Sequence, residues 1–235
     1  MELFSLPWWS ALLTIVLIDL VLAGDNAIVI ALAARSLPPS LQNKAIIWGT
    51  VGAIVIRSAM TLGVVWLLKV PGLMLVGGLG LLWIAFKLIS DTSDDDHTSA
   101  SATTFWGAIK TIVVADALMG IDNVLGVAGA SNGSFDLVVL GLLISIPIVV
   151  LGSKVVLRLV QRWPVIIQLG AAVLAFTGAQ MIVSEQLLSS IFSSGEVIDE
   201  VARFSTYAIA VSGVLFLGWW ATKKESKNET KAQSV

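Results

Sequence analysis

The sequence has no cysteine, and its one histidine, His97, lies in a hydrophilic stretch. Disulfide bonds and thiolate metal sites are therefore excluded, and so is imidazole chemistry inside the hydrophobic segments. Charged residues are scarce, at 13%, whereas 57% of the residues are apolar and the mean hydropathy is +0.92. These values lie outside the range of soluble domains and indicate an integral membrane protein.

The apolar runs are long and continuous, which favours membrane helices over the short alternating segments of a membrane barrel. We predict an all-α membrane protein with seven transmembrane helices and an inverted repeat of two three-helix units plus one extra C-terminal helix. The predicted spans are residues 8–34, 45–68, 72–90, 105–130, 136–158, 165–184 and 204–222.

Basic residues predict the orientation, because lysine and arginine collect on the cytoplasmic side. An N-terminus outside and a C-terminus in the cytoplasm leaves only Lys69 and Arg203 outside, with Arg57 within the second span. The other eleven basic residues then lie inside: Arg35, Lys44, Lys87, Lys110, Lys154, Arg158, Arg162, Lys223, Lys224, Lys227 and Lys231.

The chain divides into six predicted parts. They are a first three-helix repeat (1–90), an acidic cytoplasmic linker (91–104), a second three-helix repeat (105–184), an interfacial amphipathic segment (185–203), the seventh transmembrane helix (204–222) and a disordered basic tail (223–235). For the linker we favour a solvated tether over a metal-collecting role for its acidic cluster and His97.

One motif occurs twice inside these apolar segments. Asp19, Asp25 and Asn26 recur without a gap 97 residues later, as Asp116, Asp122 and Asn123. An odd number of helices per repeat makes the second copy enter the membrane from the opposite face. Inverted repeats of this kind are typical of secondary transporters, which bind their substrate near the midplane between the copies.

The motif side chains are the predicted metal ligands: Asp19, Asp25, Asn26, Asp116, Asp122 and Asn123. Their carboxylate and amide oxygens suit Mn²⁺, Mg²⁺ or Ca²⁺. Several ionised carboxylates in a low dielectric need compensation, either by a divalent cation or by protons. Binding of metal and of protons would then compete, which is the physical basis of a metal/proton antiporter.

On a straight helix the side chains of these ligands point in different directions, so they could bind one ion together only if the helix is bent or broken. On an ideal helix Asp19 and Asn26 lie about 20° from each other, whereas Asp25 points roughly 120° away. Gly24 and Gly120 stand beside the motif in the two copies, so we predict a helix break near each. Arg57 is the other charge inside a span, and it either pairs with a motif acid or gates the path.

A structural role and a proteolytic role for the repeated acids both fit the sequence less well. Buried Asp and Asn side chains also hold membrane helices together by hydrogen bonds, but that role does not require two copies in register. An intramembrane aspartyl protease typically has Gly-x-Gly-Asp, which neither Leu22-Ala23-Gly24-Asp25 nor Met119-Gly120-Ile121-Asp122 matches. We therefore expect a protein that is not an enzyme, with a membrane scaffold as the remaining alternative to a transporter.

The segments Asp19-Leu-Val-Leu-Ala-Gly-Asp25-Asn26 and Asp116-Ala-Leu-Met-Gly-Ile-Asp122-Asn123 resemble the signatures of TerC-type integral membrane proteins. The resemblance covers residues 8–222 and is closest to the compact bacterial branch of this LysE-like superfamily. It implies export of metal ions, chiefly Mn²⁺, across the bacterial cytoplasmic membrane, with Ca²⁺/H⁺ or Mg²⁺ transport as alternatives. The expected partners are the metal ion and the lipid bilayer, with no nucleic acid; the oligomeric state, including a homodimer, stays open.

Overall fold

The computed structural model describes residues 4–67, 70–90, 104–131, 134–192 and 197–232, without the side chains of 21–23, 64–65, 122, 125–126, 128, 197–198, 222 and 224–232. Every regular element in these ranges is helical, which confirms the predicted all-α class. In chain order the elements are α1 (Leu6–Ala34), α2 (Pro39–Leu62), α3 (Val64–Leu67), α4 (Leu73–Ser90), α5 (Phe105–Ser131), α6 (Phe135–Arg162), α7 (Val165–Val183), a 3₁₀ turn (Gln186–Leu188), α8 (Ser189–Phe192) and α9 (Val197–Ala232).

Local sequence signals set several helix starts. The side chain of Ser5 accepts the backbone N–H of Trp8 at 3.3 Å and caps α1, and Pro7 lies in the first turn, where proline is tolerated. α2 begins at Pro39, and α7 begins directly after Pro164. Because proline cannot donate a backbone hydrogen bond, the start of a helix is the place where it costs least.

Five helices of the described ranges are long and apolar enough to cross a membrane. They are α2, α4, α6, α7 and the part of α9 from Asp199 to Ala221. α1 adds a sixth when its two parts, Leu6–Leu20 and Gly24–Ala34, are taken as one span with a 48° bend. α5 is not among these six helices, and the predicted count of seven spans needs it as well.

Large apolar side chains cover the outside of the bundle. Trp66 is 79% exposed, and Phe204 and Ile209 of α9 are about as open. Such a surface is stable in contact with lipid chains rather than with water. α9 is the most peripheral of the long helices, and packs against α4 and α7.

The closest helix pairs cross between the two halves of the chain. α1 packs most extensively against α6, α2 against α5, and α4 against α7, while α1 and α5 also pack against each other. Two contacts correspond closely: Ile15 of α1 lies on Gly141 of α6, and Ile112 of α5 lies on Gly49 of α2. Ile15 and Ile112 hold the same place in the two motif copies.

The C-terminal part differs from the prediction. The described parts of residues 185–203 form a 3₁₀ turn, α8 and the first turns of α9, and their position at the membrane interface stays a prediction. α9 then runs without interruption through the predicted seventh span to Ala232, so residues 223–232 are helical where we expected disorder. Lysine and glutamate are frequent there, and both are good helix formers, so the helix propagates beyond its apolar part. Residues 91–103 of the predicted linker lie outside the described residues.

Candidate functional site

Two acids of the repeated motif lie where α1 and α5 pack together. Asp19 is near the middle of α1 and Asp116 near the middle of α5, and both are buried, at 3% and 7% exposure. An isolated buried carboxylate is strongly destabilising unless an opposite charge or hydrogen-bond donors accompany it. Here the opposite charge comes from a third helix.

Arg57 of α2 bridges the two carboxylates. Its Nη1 donates a hydrogen bond to Oδ1 of Asp19, and its Nη2 donates one to Oδ1 of Asp116. The guanidinium is buried as well. Because its planar fork holds the two donors in a fixed geometry, one arginine sets the spacing between acids from both motif copies. Of the two roles predicted for Arg57, the described contacts are those of charge pairing, with two acids instead of one.

Asp25 belongs to the same electrostatic group. Its side chain is half-buried, its Oδ1 accepts the backbone N–H of Asn26 at 2.9 Å, and the charges of Arg57 and Asp116 both act on it. Asp19 and Asp116 contact the guanidinium, and the charge of Asp25 interacts with it without a direct contact. When all four groups are ionised, two negative charges remain without a partner charge among them.

Two buried oxygens of the motif have no hydrogen-bond partner within the described residues. They are Oδ2 of Asp116 and Oδ1 of Asn26, and Nε of Arg57 is in the same condition. Buried acceptors without donors are rare in folded proteins and are often satisfied by water or an ion. The two oxygens are hard donors of the kind that Mn²⁺, Mg²⁺ and Ca²⁺ bind.

The second motif copy is only partly described. Asp122 and Asn123 lie within α5, and the side chain of Asn123 is half-buried, but the side chain of Asp122 is outside the described residues. Met119, which lies between the two motif acids of α5, packs in a hydrophobic cluster with α1, α4 and α7. Within the described residues, no three acidic or histidine side chains are placed to hold a metal ion.

The two glycines differ in their surroundings. α1 bends just before Gly24, which is exposed and has open space around it. α5 is assigned as one helix through Gly120, as α1 is through Gly24, and the predicted break in the second copy stays a prediction. A Cβ at Gly120 would lie 3.9 Å from Nε of Arg57. This is an ordinary van der Waals distance, so an alanine at this position would also leave room for Arg57.

Two features of the described bundle are not predicted by the sequence motifs. Glu185, between α7 and the 3₁₀ turn, is buried and accepts backbone N–H groups at the start of α4. Arg35, Lys87 and Lys110, predicted to lie on one side of the membrane, line a common cavity. The side preference of the three cations was visible in the sequence, but their proximity depends on how α1, α4 and α5 pack.

The model of the family described as "Integral membrane protein TerC family" matches residues 4–227. The chain belongs to the TerC family. This membership confirms the resemblance carried by the two acidic motifs.

Relatives of the chain include proteins that are named as membrane proteins. The chain is 41% identical over 206 residues to "Uncharacterized membrane protein YjbE" of Bacillus subtilis. The aligned residues make up 88% of this chain and 94% of that protein. It is 26% identical to two proteins of Escherichia coli over 74% of its length: "UPF0053 inner membrane protein YgdQ", covered to 80%, and "UPF0053 protein YegH", covered to 36%. No solved structure matches the chain.

Proposed function

We propose that this TerC-family protein is a divalent metal-ion transporter that exports Mn²⁺ across the bacterial cytoplasmic membrane in exchange for protons. The observation that carries the proposal is the group formed by Asp19, Asp25, Asp116 and Arg57. Its acids come from both motif copies, and it is held at the packing of α1, α2 and α5.

The charge of this group matches a divalent cation. Three ionised carboxylates and one guanidinium leave two negative charges, which one M²⁺ or two protons would neutralise. Because uncompensated charge is costly at membrane depth, the group would hold either the metal or the protons in its stable states. Exchange of one M²⁺ for two protons would therefore leave the site neutral in both states when Asp122, the fourth motif carboxylate, stays protonated.

Arg57 gives the site an internal competitor for the metal. In the bridged arrangement the guanidinium occupies one oxygen of Asp19 and one of Asp116. A metal ion that binds these oxygens would displace Arg57 from them. The remaining ligands in our proposal are Asp25, Asn26 and the second-copy residues Asp122 and Asn123.

The packing pattern supports an inverted repeat with seven spans. If α1 is equivalent to α5 and α2 is equivalent to α6, the contact between α1 and α6 in one direction corresponds to the contact between α5 and α2 in the other. Both contacts are extensive. In the same way, the contact of Ile15 with Gly141 corresponds to the contact of Ile112 with Gly49. We infer that α1, α2 and α4 are equivalent to α5, α6 and α7, with the ion between them near the midplane.

Transport is tested with inside-out membrane vesicles, in which export appears as uptake. Mn²⁺, Ca²⁺ and Mg²⁺ are compared with and without an acidic vesicle interior. We expect Mn²⁺ uptake that an acidic interior accelerates, and loss of this uptake in Asp19→Asn and Asp116→Asn, because buried intramembrane acids mark ion pathways. Asp136→Asn is the matched control, because Asp136 is an exposed carboxylate in the first turn of α6.

Each alternative has its own outcome. Faster uptake of Ca²⁺ or Mg²⁺ than of Mn²⁺ would keep the carrier and change its substrate. Uptake of none of the three by the wild type, with Asp25→Asn and Asp122→Asn without phenotype in the cell, would favour a membrane scaffold.

A further inference from the structure

A cavity of about 310 Å³ opens at one end of the bundle, away from the acidic group. Its wall is formed where α1 and α4 end and where α5 begins. The transport site does not use its residues. The cavity is therefore a candidate site for a different ligand.

Three cationic side chains line this cavity, and no acidic side chain of the described residues does. They are Arg35 after α1, Lys87 in the last turn of α4 and Lys110 in α5. Arg35 is held in place, because its Nη2 donates a hydrogen bond to the carbonyl oxygen of Leu88 at 2.7 Å. Cationic side chains from three helices around one cavity attract an anionic ligand.

The rest of the wall is apolar and open toward the outside of the bundle. Trp83 is 66% exposed and Val114 is 41% exposed, beside the largely buried Leu32 and Ile84. Tryptophan is enriched at the level of lipid headgroups, where its ring contacts acyl chains and its N–H contacts the polar layer. A ligand that suits both parts of the wall carries a negative headgroup and a hydrocarbon chain.

We propose that this cavity binds an anionic phospholipid. The phosphate lies among Arg35, Lys87 and Lys110, and an acyl chain runs along Trp83 and Val114. Basic pockets between membrane helices are the kind of site that selects anionic headgroups. Free phosphate would satisfy the three cations but leave the exposed Trp83 uncovered.

The test measures lipid preference at Trp83 in purified protein reconstituted into vesicles. Phosphatidylglycerol and phosphatidylcholine with brominated chains quench nearby tryptophan, and Trp83→Phe identifies the contribution of Trp83. We expect quenching of Trp83 to favour phosphatidylglycerol strongly. The double variant Lys87→Gln/Lys110→Gln should lower this preference about 30-fold, at about fivefold for each lysine.

The control is Lys44→Gln/Lys154→Gln, which removes the same charge from residues outside the cavity and should keep the preference. Equal quenching by the two lipids, or an unchanged preference in Lys87→Gln/Lys110→Gln, would overturn the proposal. So would displacement of phosphatidylglycerol by inorganic phosphate at comparable concentration. A preference that appears only after Asp94, Asp95 and Asp96 are changed to Asn would assign the cavity to this chain's own acidic segment instead.

Discussion

Arg57 is a fixed positive charge placed between acids that the sequence separates by 97 residues. A buried ion pair contributes little to stability compared with apolar packing, but removal of one partner is costly. The reason is that the remaining charges stay buried without compensation. For Arg57 two carboxylates would be left in this condition at once.

Arg57→Gln tests the bridge. We expect the free energy of unfolding of the metal-free protein to fall by about 3–5 kcal/mol, the usual cost of breaking a buried pair. Mn²⁺ should restore part of this loss, and should raise the unfolding temperature of Arg57→Gln more than that of the wild type. Thermal unfolding in detergent with and without Mn²⁺ measures both effects. Arg57→Lys keeps the charge without the fork and should lie between; equal stability of all three proteins would contradict the bridge.

Glu185 is a residue whose role lies in the junction of two helices. One carboxylate oxygen accepts the N–H groups of Gly72 and Leu187, and the other accepts those of Met74 and Leu75, at 3.1–3.2 Å. Gly72 has a φ of +81°, a backbone conformation that favours glycine. Burial by itself raises the pKa of Glu185, but the four hydrogen bonds together lower it more, so the net pKa is below the ordinary 4.5.

The lowered pKa gives Glu185 a defined pH dependence. A carboxyl group with a depressed pKa stabilises the fold above its unfolded pKa, and this contribution is lost as the pH falls through the folded pKa. Glu185→Gln should therefore be less stable than the wild type by about 1–2 kcal/mol near neutral pH. The difference should shrink below pH 4.5, where the wild type becomes protonated. Unfolding measured between neutral and acidic pH tests this.

Glu200→Gln is the control for Glu185, because Glu200 is an exposed carboxylate at the start of α9. It should unfold like the wild type at every pH. A stability gap for Glu185→Gln that does not change with pH would contradict the role of the ionised carboxylate.

At the level of elements, α4 and α7 approach each other through small residues. A Cβ on Gly178 would lie 2.8 Å from the carbonyl oxygen of Gly78. A Cβ on Gly78 would in turn collide with the carbonyl oxygen of Gly178. Backbone on both sides leaves no flexible side chain to move aside. Close packing of small residues is a common means of helix association in membranes, where there is no hydrophobic effect between helices.

Gly178→Ala should separate α4 from α7 and lower the free energy of unfolding by about 1–3 kcal/mol, as overpacking usually does. Gly213→Ala is the matched control, since a Cβ on Gly213 of α9 meets nothing within 4 Å. That variant should be neutral or stabilised by about 0.5–1 kcal/mol, because alanine is the better helix former. Thermal unfolding of the two variants in the same detergent gives the comparison, and equal loss in both would refute the close approach.

Helix positions were largely readable from the sequence, but some ends were not. The predicted second span starts at residue 45, whereas α2 begins at Pro39. Polar residues conceal this start from a hydropathy window, although Gln42 is buried and its amide donates to the carbonyl oxygens of Arg35 and Leu37. Hydropathy reports the lipid-facing part of a helix, and capping by a side chain from inside the bundle is a tertiary contact.

At the scale of the whole molecule, the absence of cysteine makes the orientation directly testable. Ser40 in α2 and Ser190 in α8 are exposed, and the predicted orientation puts them on opposite sides of the membrane. A membrane-impermeant thiol reagent should label Ser190→Cys in spheroplasts or protoplasts. It should label Ser40→Cys only in inside-out vesicles. The reverse pattern would contradict an external N-terminus.

The candidate site was half predictable. The repeated acids pointed to Asp19 and Asp116 because charged groups in apolar runs are rare. That one guanidinium joins both acids depends on the packing of α2 against α5, which no local pattern encodes. Arg57 has Val149 near its equivalent place in the second half, so the internal symmetry gave no second example from which to infer the bridge.

The packing of α1 on α6 and of α2 on α5 has a consequence for biosynthesis. The first three long helices leave the ribosome before any of their main packing partners exist. Until α5 is inserted, Asp19 and Arg57 can pair with each other, but Arg57 lacks its second acid and α2 lacks its main neighbour. The helices of the first half are therefore in contact with lipid or with the insertion machinery until the second half is inserted. Arg57 can contact both Asp19 and Asp116 only after the insertion of α5.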